Sequence, residues 1–366
     1  MAATNPATPA RPLAAPDPIR IAQSVRTDLP FPAELASLTP LAGDASNRRY
    51  FRIELKSAGP RSVILMQLAE PEGFKQSEEA VSGASIQINE LPFVNILSYL
   101  ANTGVCVPSL YWYDREGGFL YLEDFGDLTL AEACRHADRT RIEELYRRAI
   151  DGLVLLQAKG TARRDPACMA FHRSFDVPLL MWEFEHFLEY GVAARQDQPM
   201  KTEDETAIRA SFQRIARMLA DAPQVFVHRD YHSRNLMVDG GRLGVIDFQD
   251  ALLGPASYDL ASLLRDAYIR LDEEVIDGLI ERFLDGMAAE GQKCDRTAFR
   301  RLFDLTSIQR NLKAAGRFVY IDRVKGNPKF LADIPLVLGY VKRNLLKYPE
   351  LASLKRHLTP YVPELQ

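Results

Sequence analysis

Short apolar runs separated by turn residues characterise the part of the chain before residue 125. Their enrichment in β-branched and aromatic residues predicts strands. These runs lie at 50–55, 62–66, 111–113 and 119–122. Between the second and third runs, apolar residues at helical spacing near 91–101 predict one helix, which Gly104 ends. We therefore predict a small β-rich N-terminal lobe over residues 26–124.

The periodicity becomes mainly helical after Gly126. Segments with apolar positions every three or four residues lie at 140–159, 178–190, 205–220, 257–270, 274–290 and 298–319. Set among them is a hairpin signal, an Asp-Gly-Gly turn between apolar runs at 236–238 and 243–246. We predict a larger helical C-terminal lobe over residues 125–366. The whole is an α+β, bilobal fold, since 366 residues exceed the usual size of a single core.

Composition narrows the possible partners and locations. Residues 1–25 are dominated by Ala, Pro and Thr, so we expect a disordered tail there. A formal net charge of -4 provides no field that would hold nucleic acid or an anionic membrane. No apolar run approaches the length of about 20 residues that spans a bilayer. We expect a cytoplasmic monomer that acts on a small molecule.

Three polar residues lie where the predicted hairpin begins and ends. Asp230 and Asn235 occupy the loop before its first strand, and Asp247 follows its second strand. Because a hairpin returns the chain on itself, we expect Asn235 and Asp247 to lie close together. Mg²⁺ prefers oxygen ligands and is usually held by one or two carboxylates together with substrate phosphates. The sequence therefore predicts a Mg²⁺ site at Asn235 and Asp247.

Asp230 is then left to act as a base. A carboxylate in that position can accept the proton of an incoming hydroxyl group and aim it at phosphorus. Taken singly, an Asp or Asn in a loop is more often a turn or capping residue. The order of His-x-Asp, an Asn five residues later, and Ile-Asp after a strand-turn-strand favours catalysis, because it matches the loops of the protein-kinase-like fold.

These motifs resemble the aminoglycoside phosphotransferase superfamily. Within it, the runs at 41–51, 121–127, 179–185 and 309–316 look like the bacterial N-acetylmuramate/N-acetylglucosamine anomeric kinases of cell-wall recycling. The resemblance covers about residues 30 to 350 and implies a protein-kinase-like fold that uses ATP and Mg²⁺. It also implies that Asp230 is the catalytic base, that Asn235 and Asp247 bind Mg²⁺, and that His228 and Asp259 are structural. An alternative for Asp259 is an ordinary acidic residue in the first turn of a helix.

The same resemblance assigns residues to the nucleotide. Those of the phosphate-covering loop are Gly43, Asp44, Ala45, Ser46, Asn47, Arg48 and Arg49, and those of the hinge are Glu123, Asp124 and Phe125. The sequence departs from most kinases on the third strand, where Met66 or Gln67 stands in place of a phosphate-binding lysine. Arg48 or Arg49 is a candidate replacement, and a solvated surface pair is the alternative.

Two groups of residues are candidates for the acceptor site. Arg310 and Lys313 share one helical face, which suits an anionic sugar, although such faces are usually just solvated. Trp182, Glu183 and Glu185 form an aromatic and acidic segment that suits a sugar ring, or merely an amphipathic helix.

Our hypothesis is phosphorylation of an amino sugar, N-acetylmuramate or N-acetylglucosamine, at its anomeric hydroxyl group. The alternatives are an aminoglycoside or other alcohol kinase, and a nucleotide-binding regulatory protein that has lost turnover.

Overall fold

The structure is a computed structural model that describes residues 15–41, 48–68, 90–196 and 199–366. Five residues predicted to form the phosphate-covering loop lie outside the described residues, namely Gly43, Asp44, Ala45, Ser46 and Asn47. Residues 1–14 of the predicted tail also lie outside them. The chain divides into two compact units, Met1–Ala80 with Pro108–Gly126 and Val81–Val107 with Asp127–Gln366.

The first unit is an antiparallel sheet with one helix against it. Its elements are α1 (Pro18–Thr27), β1 (Glu34–Leu41), β2 (Arg49–Lys56), β3 (Ser62–Gln67), β4 (Leu110–Asp114) and β5 (Phe119–Glu123). The strand order is β1-β2-β3-β5-β4. Alternation along the strands buries Phe51 and Ile53 of β2 with Val63 and Leu65 of β3. The four predicted strands are confirmed. Strand β1 was missed because it is an edge strand with no fully buried position.

Helix α1 begins inside the predicted tail. Asp17 caps it by accepting a hydrogen bond from the backbone N–H of Ile19 at 3.0 Å, and Pro18 stands in its first turn, where no N–H is needed. Ile21 and Val25, four residues apart, are fully buried in the core of this unit. The tail predicted over residues 1–25 was therefore too long, because two apolar residues on one helical face suffice to dock this segment.

The second unit is mainly helical. Its helices are α2 (Pro92–Ala101), α3 (Leu130–Arg135), α4 (Arg139–Ala162), α5 (Val177–His186), α6 (Thr202–Ala220), α7 (Ser257–Leu264), α8 (Glu273–Ala289), α9 (Arg296–Lys325), α10 (Ile334–Lys347) and α11 (Ala352–Leu358). Two antiparallel pairs lie among them, β6 (Gln224–Val227) with β9 (Leu252–Pro255) and β7 (Leu236–Asp239) with β8 (Arg242–Val245). The predicted hairpin is β7–β8. No helix within the described residues is long and apolar enough to cross a membrane.

Helix α2 groups with this helical unit, whereas the sequence placed it in the N-terminal lobe. The side chain of Asn95 accounts for this, since its amide nitrogen donates to the carbonyl of Ala167 at 2.8 Å and its oxygen accepts from the N–H of Met169 at 2.8 Å. The hydroxyl group of Tyr99 donates to the carbonyl of Gly160 at 2.7 Å. These hydrogen bonds join residues far apart in sequence, so local periodicity could not reveal them.

Candidate active site

The β7–β8 hairpin brings Asn235 and Asp247 together. Leu236 pairs with Val245 in the ladder, and the N–H of Ile246 donates to the carbonyl of Asn235 at 3.1 Å. The amide nitrogen of Asn235 lies 3.4 Å from a carboxylate oxygen of Asp247. Two residues twelve positions apart are thus neighbours, as the turn predicted.

The side-chain oxygen atoms of Asn235 and Asp247 suit a hard cation as ligands. The amide nitrogen of Asn235 donates to the carbonyl of Asp230 at 3.0 Å, which identifies the other amide atom as the oxygen that can face a cation. Asp247 is exposed, and one of its carboxylate oxygens accepts from the side chain of Gln249 at 2.9 Å. One amide oxygen and one carboxylate form a small oxygen set, which fits Mg²⁺ that keeps water and phosphate ligands.

Asp247 has an unusual backbone. Its φ is +65°, and Arg229 in the loop before the hairpin has φ +81°. Among the described residues other than glycine, only these two have positive φ. Such conformations are costly for residues with a Cβ and concentrate at functional sites, where the surrounding contacts impose them.

His228 connects the two ends of the site. It is fully buried, and its Nδ1 accepts from the N–H of Asp230 at 3.2 Å. Its Nε2 lies 3.0 Å from the carbonyl of Ile246, an acceptor, so the ring is the neutral tautomer that carries its proton on Nε2. His228 therefore ties the loop that bears Asp230 to the segment that bears Asp247.

Asp259 holds the same loop from the other side. It lies in the first turn of α7 with no exposed surface, and its two carboxylate oxygens accept from the N–H groups of His228 at 2.7 Å and Arg229 at 2.9 Å. Burial raises the pKa of Asp259 to about 6, against the effect of these hydrogen bonds. These two bonds fix the backbone directly before Asp230.

Asp230 itself has a carboxylate that no described side chain hydrogen-bonds. Burial would raise its pKa, but the positive charges of Lys313, Arg229 and Arg310, with a contribution from His232, hold the pKa of Asp230 well below its ordinary value. The group is therefore ionised at neutral pH. An ionised, half-buried carboxylate can accept a hydrogen bond from a hydroxyl group.

Glu183 has a different position from the one predicted. It was a candidate substrate contact, yet it is fully buried. One of its oxygens lies 2.9 Å from a guanidinium nitrogen of Arg229 and 2.6 Å from the ammonium of Lys313, and the other accepts from Gln309 at 2.7 Å. The prediction for Glu183 is therefore corrected. A helical pattern does not distinguish a carboxylate that points inwards and pairs with buried cations from one that faces a ligand.

The remaining acceptor candidates separate into inner and outer positions. Arg310 is 9% exposed and close enough to Asp230 to lower its pKa. Trp182 is half-buried with its ring stacked at 12° on that of His186. Glu185 instead pairs at 2.7 Å with Arg209 of the neighbouring helix α6, away from the buried cluster around Glu183.

The hinge candidates lie in the first unit. The N–H of Glu123 donates to the carbonyl of Ser109 at 2.8 Å, so that N–H is occupied. Asp124 pairs with Arg52 at 2.6 Å; burial would raise its pKa, but the bond from Arg52 and further hydrogen bonds hold it below its ordinary value. Phe125 is buried.

On the strand that lacks the lysine, Gln67 is buried opposite Arg49 in the β2–β3 ladder. The guanidinium of Arg49 lies 5.1 Å from the centre of the Phe51 ring. Arg48 is half-buried just before β2. Both arginines keep their predicted candidacy for the missing charge.

Three residues with a clear place in this site were missed from sequence. They are Arg229 and His232, which lie among the residues of the motif, and Gln249, which lies two residues after Asp247. None of the three occupies a position that the motif defines. His232 has its Nε2 3.4 Å from the amide nitrogen of Asn235, and burial lowers its pKa. The only signal that the sequence offered for Arg229 and His232 was their position between the residues of the His-x-Asp and Asn motif.

Comparison with known proteins identifies the family of this chain. The model of a phosphotransferase enzyme family matches residues 37–292. The chain is 32% identical over 321 residues to an N-acetylmuramate/N-acetylglucosamine kinase of Pseudomonas aeruginosa, covering 87% of each chain. It is 35% identical over 324 residues to the Pseudomonas putida protein of the same name, covering 87% of this chain and 86% of the relative.

Among solved structures, an amicoumacin kinase in complex with AMP-PNP and Ca²⁺ matches with a TM-score of 0.56 at 14% identity. The match covers 91% of this chain and 94% of that one. This likeness confirms the predicted fold class, the protein-kinase-like fold with a small β-rich part and a larger helical part.

Proposed function

Since this chain belongs to the phosphotransferase enzyme family, we propose that it transfers the terminal phosphoryl group of ATP to an amino sugar. The proposed acceptor is the anomeric hydroxyl group of N-acetylmuramate or N-acetylglucosamine, in the recycling of peptidoglycan. Relatives that match most of the chain are named as N-acetylmuramate/N-acetylglucosamine kinases, which supports this acceptor. The observation that carries the chemistry is the convergence of Asn235, Asp247 and the Asp230 loop within one hairpin unit.

In this proposal Asp230 is the catalytic base. Its ionised carboxylate accepts the proton of the sugar hydroxyl group and aims the oxygen at phosphorus. Asp259 and His228 are positioning residues. Asp259 accepts from the two backbone N–H groups before Asp230, and His228 accepts from the N–H of Asp230 itself. In phosphoryl transfer through a loose transition state, such positioning provides most of the effect of the base.

Asn235 and Asp247 would hold Mg²⁺ through one amide and one carboxylate oxygen. When bound, Mg²⁺ neutralises charge on the phosphate oxygens of ATP. On the protein side, the hydrogen bond from Asn235 to the carbonyl of Asp230 links the metal ligand to the base. This bond would keep the acceptor hydroxyl and the phosphate in register.

For the acceptor we propose Arg310 and Trp182 as contacts. N-acetylmuramate carries a lactyl carboxylate, which needs a cation as its partner. Arg310 lies near Asp230 and forms no ion pair with any carboxylate among the described residues. The half-buried ring of Trp182, which is stacked on that of His186, is the proposed aromatic contact for the sugar. We also propose that the enzyme acts as a monomer in the cytoplasm, where ATP is available.

The test is a panel of acceptors incubated with ATP and Mg²⁺, with product analysed by mass spectrometry. We expect phosphorylation of N-acetylmuramate and N-acetylglucosamine, and a loss of kcat of about 100- to 10,000-fold in Asp230→Asn. Asp239→Asn removes a carboxylate at the exposed hairpin turn and should leave kcat unchanged. Phosphorylation of aminoglycosides alone would overturn the acceptor assignment. ATP binding without turnover on any acceptor would favour a regulatory protein.

A further inference from the structure

Two cations, Arg229 and Lys313, share one buried carboxylate, Glu183, near the proposed base. Arg229 is 3% exposed and lies next to Asp230 in the chain, and Lys313 is half-buried. Yet both cations place their nitrogen atoms on Glu183, at 2.9 Å and 2.6 Å. Within the described part of the chain, neither cation forms an ion pair with Asp230.

Resting on the proposed function, we propose that Glu183 is a positioning residue that keeps Arg229 and Lys313 away from the carboxylate of Asp230. A base that formed an ion pair with an ammonium group would be turned away from the acceptor hydroxyl group. Glu183 prevents this by offering both cations a carboxylate that no solvent reaches.

Glu183 is itself fixed by three different elements. It lies on α5, Arg229 lies in the loop before Asp230, and Lys313 lies on α9. Gln309, one turn before Lys313, donates to the second carboxylate oxygen of Glu183 at 2.7 Å, so both oxygens of Glu183 have partners. The hydroxyl group of Tyr258 lies 3.4 Å from the ammonium of Lys313 on the remaining side. This arrangement gives each cation a defined direction.

Charge explains why the loss of Glu183 should be felt at Asp230. Glu183 is the carboxylate with which the ammonium of Lys313 forms an ion pair, at 2.6 Å. Without it, the half-buried ammonium of Lys313 would lose its ion-pair partner, and Asp230, next in the chain to Arg229, is a carboxylate to which it can turn. Lys313 has a flexible four-carbon side chain that allows its ammonium group to reorient more easily than the guanidinium of Arg229.

The experiment is a double-mutant cycle on kcat, in the full-length protein and with whichever hydroxyl acceptor the wild type phosphorylates. Glu183→Gln keeps the shape and removes the charge, and we expect kcat to fall about 10- to 100-fold with the KM for ATP changed less than about twofold. In a Lys313→Met background, the same change should cost several-fold less, because one of the cations has gone.

A purely structural role for Glu183 predicts a lower free energy of unfolding with kcat per folded molecule unchanged in Glu183→Gln. That result, or equal losses of kcat in both backgrounds, overturns the inference. Glu205→Gln, in a surface pair with Arg209, is the control and should match wild type. If Glu183→Gln does not fold, Glu183→Asp, which keeps the charge but shortens its reach, is compared in the two backgrounds by the same criterion. A wild type that phosphorylates only non-sugar acceptors refutes the proposed function while the cycle still decides the role of Glu183.

Discussion

Asp259→Asn probes the support beneath the proposed base. The carboxylate of Asp259 receives two backbone N–H groups at 2.7 Å and 2.9 Å with no access to water. An asparagine offers one oxygen, so one N–H group faces an NH₂ group instead of an acceptor. A buried donor left without a partner costs about 1 to 3 kcal/mol, which we expect as the loss in the free energy of unfolding near neutral pH.

The pKa of Asp259 adds a pH signature. In the folded protein it is about 6, above its ordinary value of 3.8. A raised folded pKa means that the stability contributed by this group is fully present below pH 3.8 and is lost as the pH rises through 6. Between about pH 5 and about pH 7.5, the wild type should lose about 1.4 kcal/mol from this group, which the asparagine variant does not lose.

The assay is urea unfolding of the wild type and Asp259→Asn at several pH values. Their difference in the free energy of unfolding should narrow by about 1.4 kcal/mol from about pH 5 to about pH 7.5, while other groups cancel in the subtraction. Asp272→Asn replaces an exposed aspartate before α8 that makes no capping bond, and is the control. A difference that stays constant with pH, or widens, would refute this account of Asp259.

Two further changes test the packing of each unit. Gly316→Ala places a Cβ 2.8 Å from a backbone atom beside α5, which should lower the free energy of unfolding by about 1 to 3 kcal/mol. Gly339→Ala, within α10, meets nothing within 4 Å and should raise the melting temperature slightly, because alanine favours a helix interior by about 0.5 to 1 kcal/mol. Arg52→Met leaves Asp124 buried without its ion pair, so the melting temperature should fall and the KM for ATP should rise; unchanged values for both would contradict a role for this pair in shaping the hinge.

Much of this protein could be predicted from local sequence. The strand and helix periodicities identified most elements, because burial on one face of a strand or helix recurs at a fixed spacing. The pairing of Asn235 with Asp247 was also predictable, since an Asp-Gly-Gly turn between two apolar runs forces its ends together. Those predictions depended only on residues that are close together in the sequence.

Contacts between distant segments were decided by tertiary structure alone. The sequence did not indicate that Glu183 would turn inwards, because its partners Arg229 and Lys313 lie 46 and 130 positions away. Nor did it assign α2 to the helical unit, which depends on hydrogen bonds from Asn95 to residues more than 70 positions later. A buried charge or amide is stable only where its partners are, and only the folded chain brings those partners together.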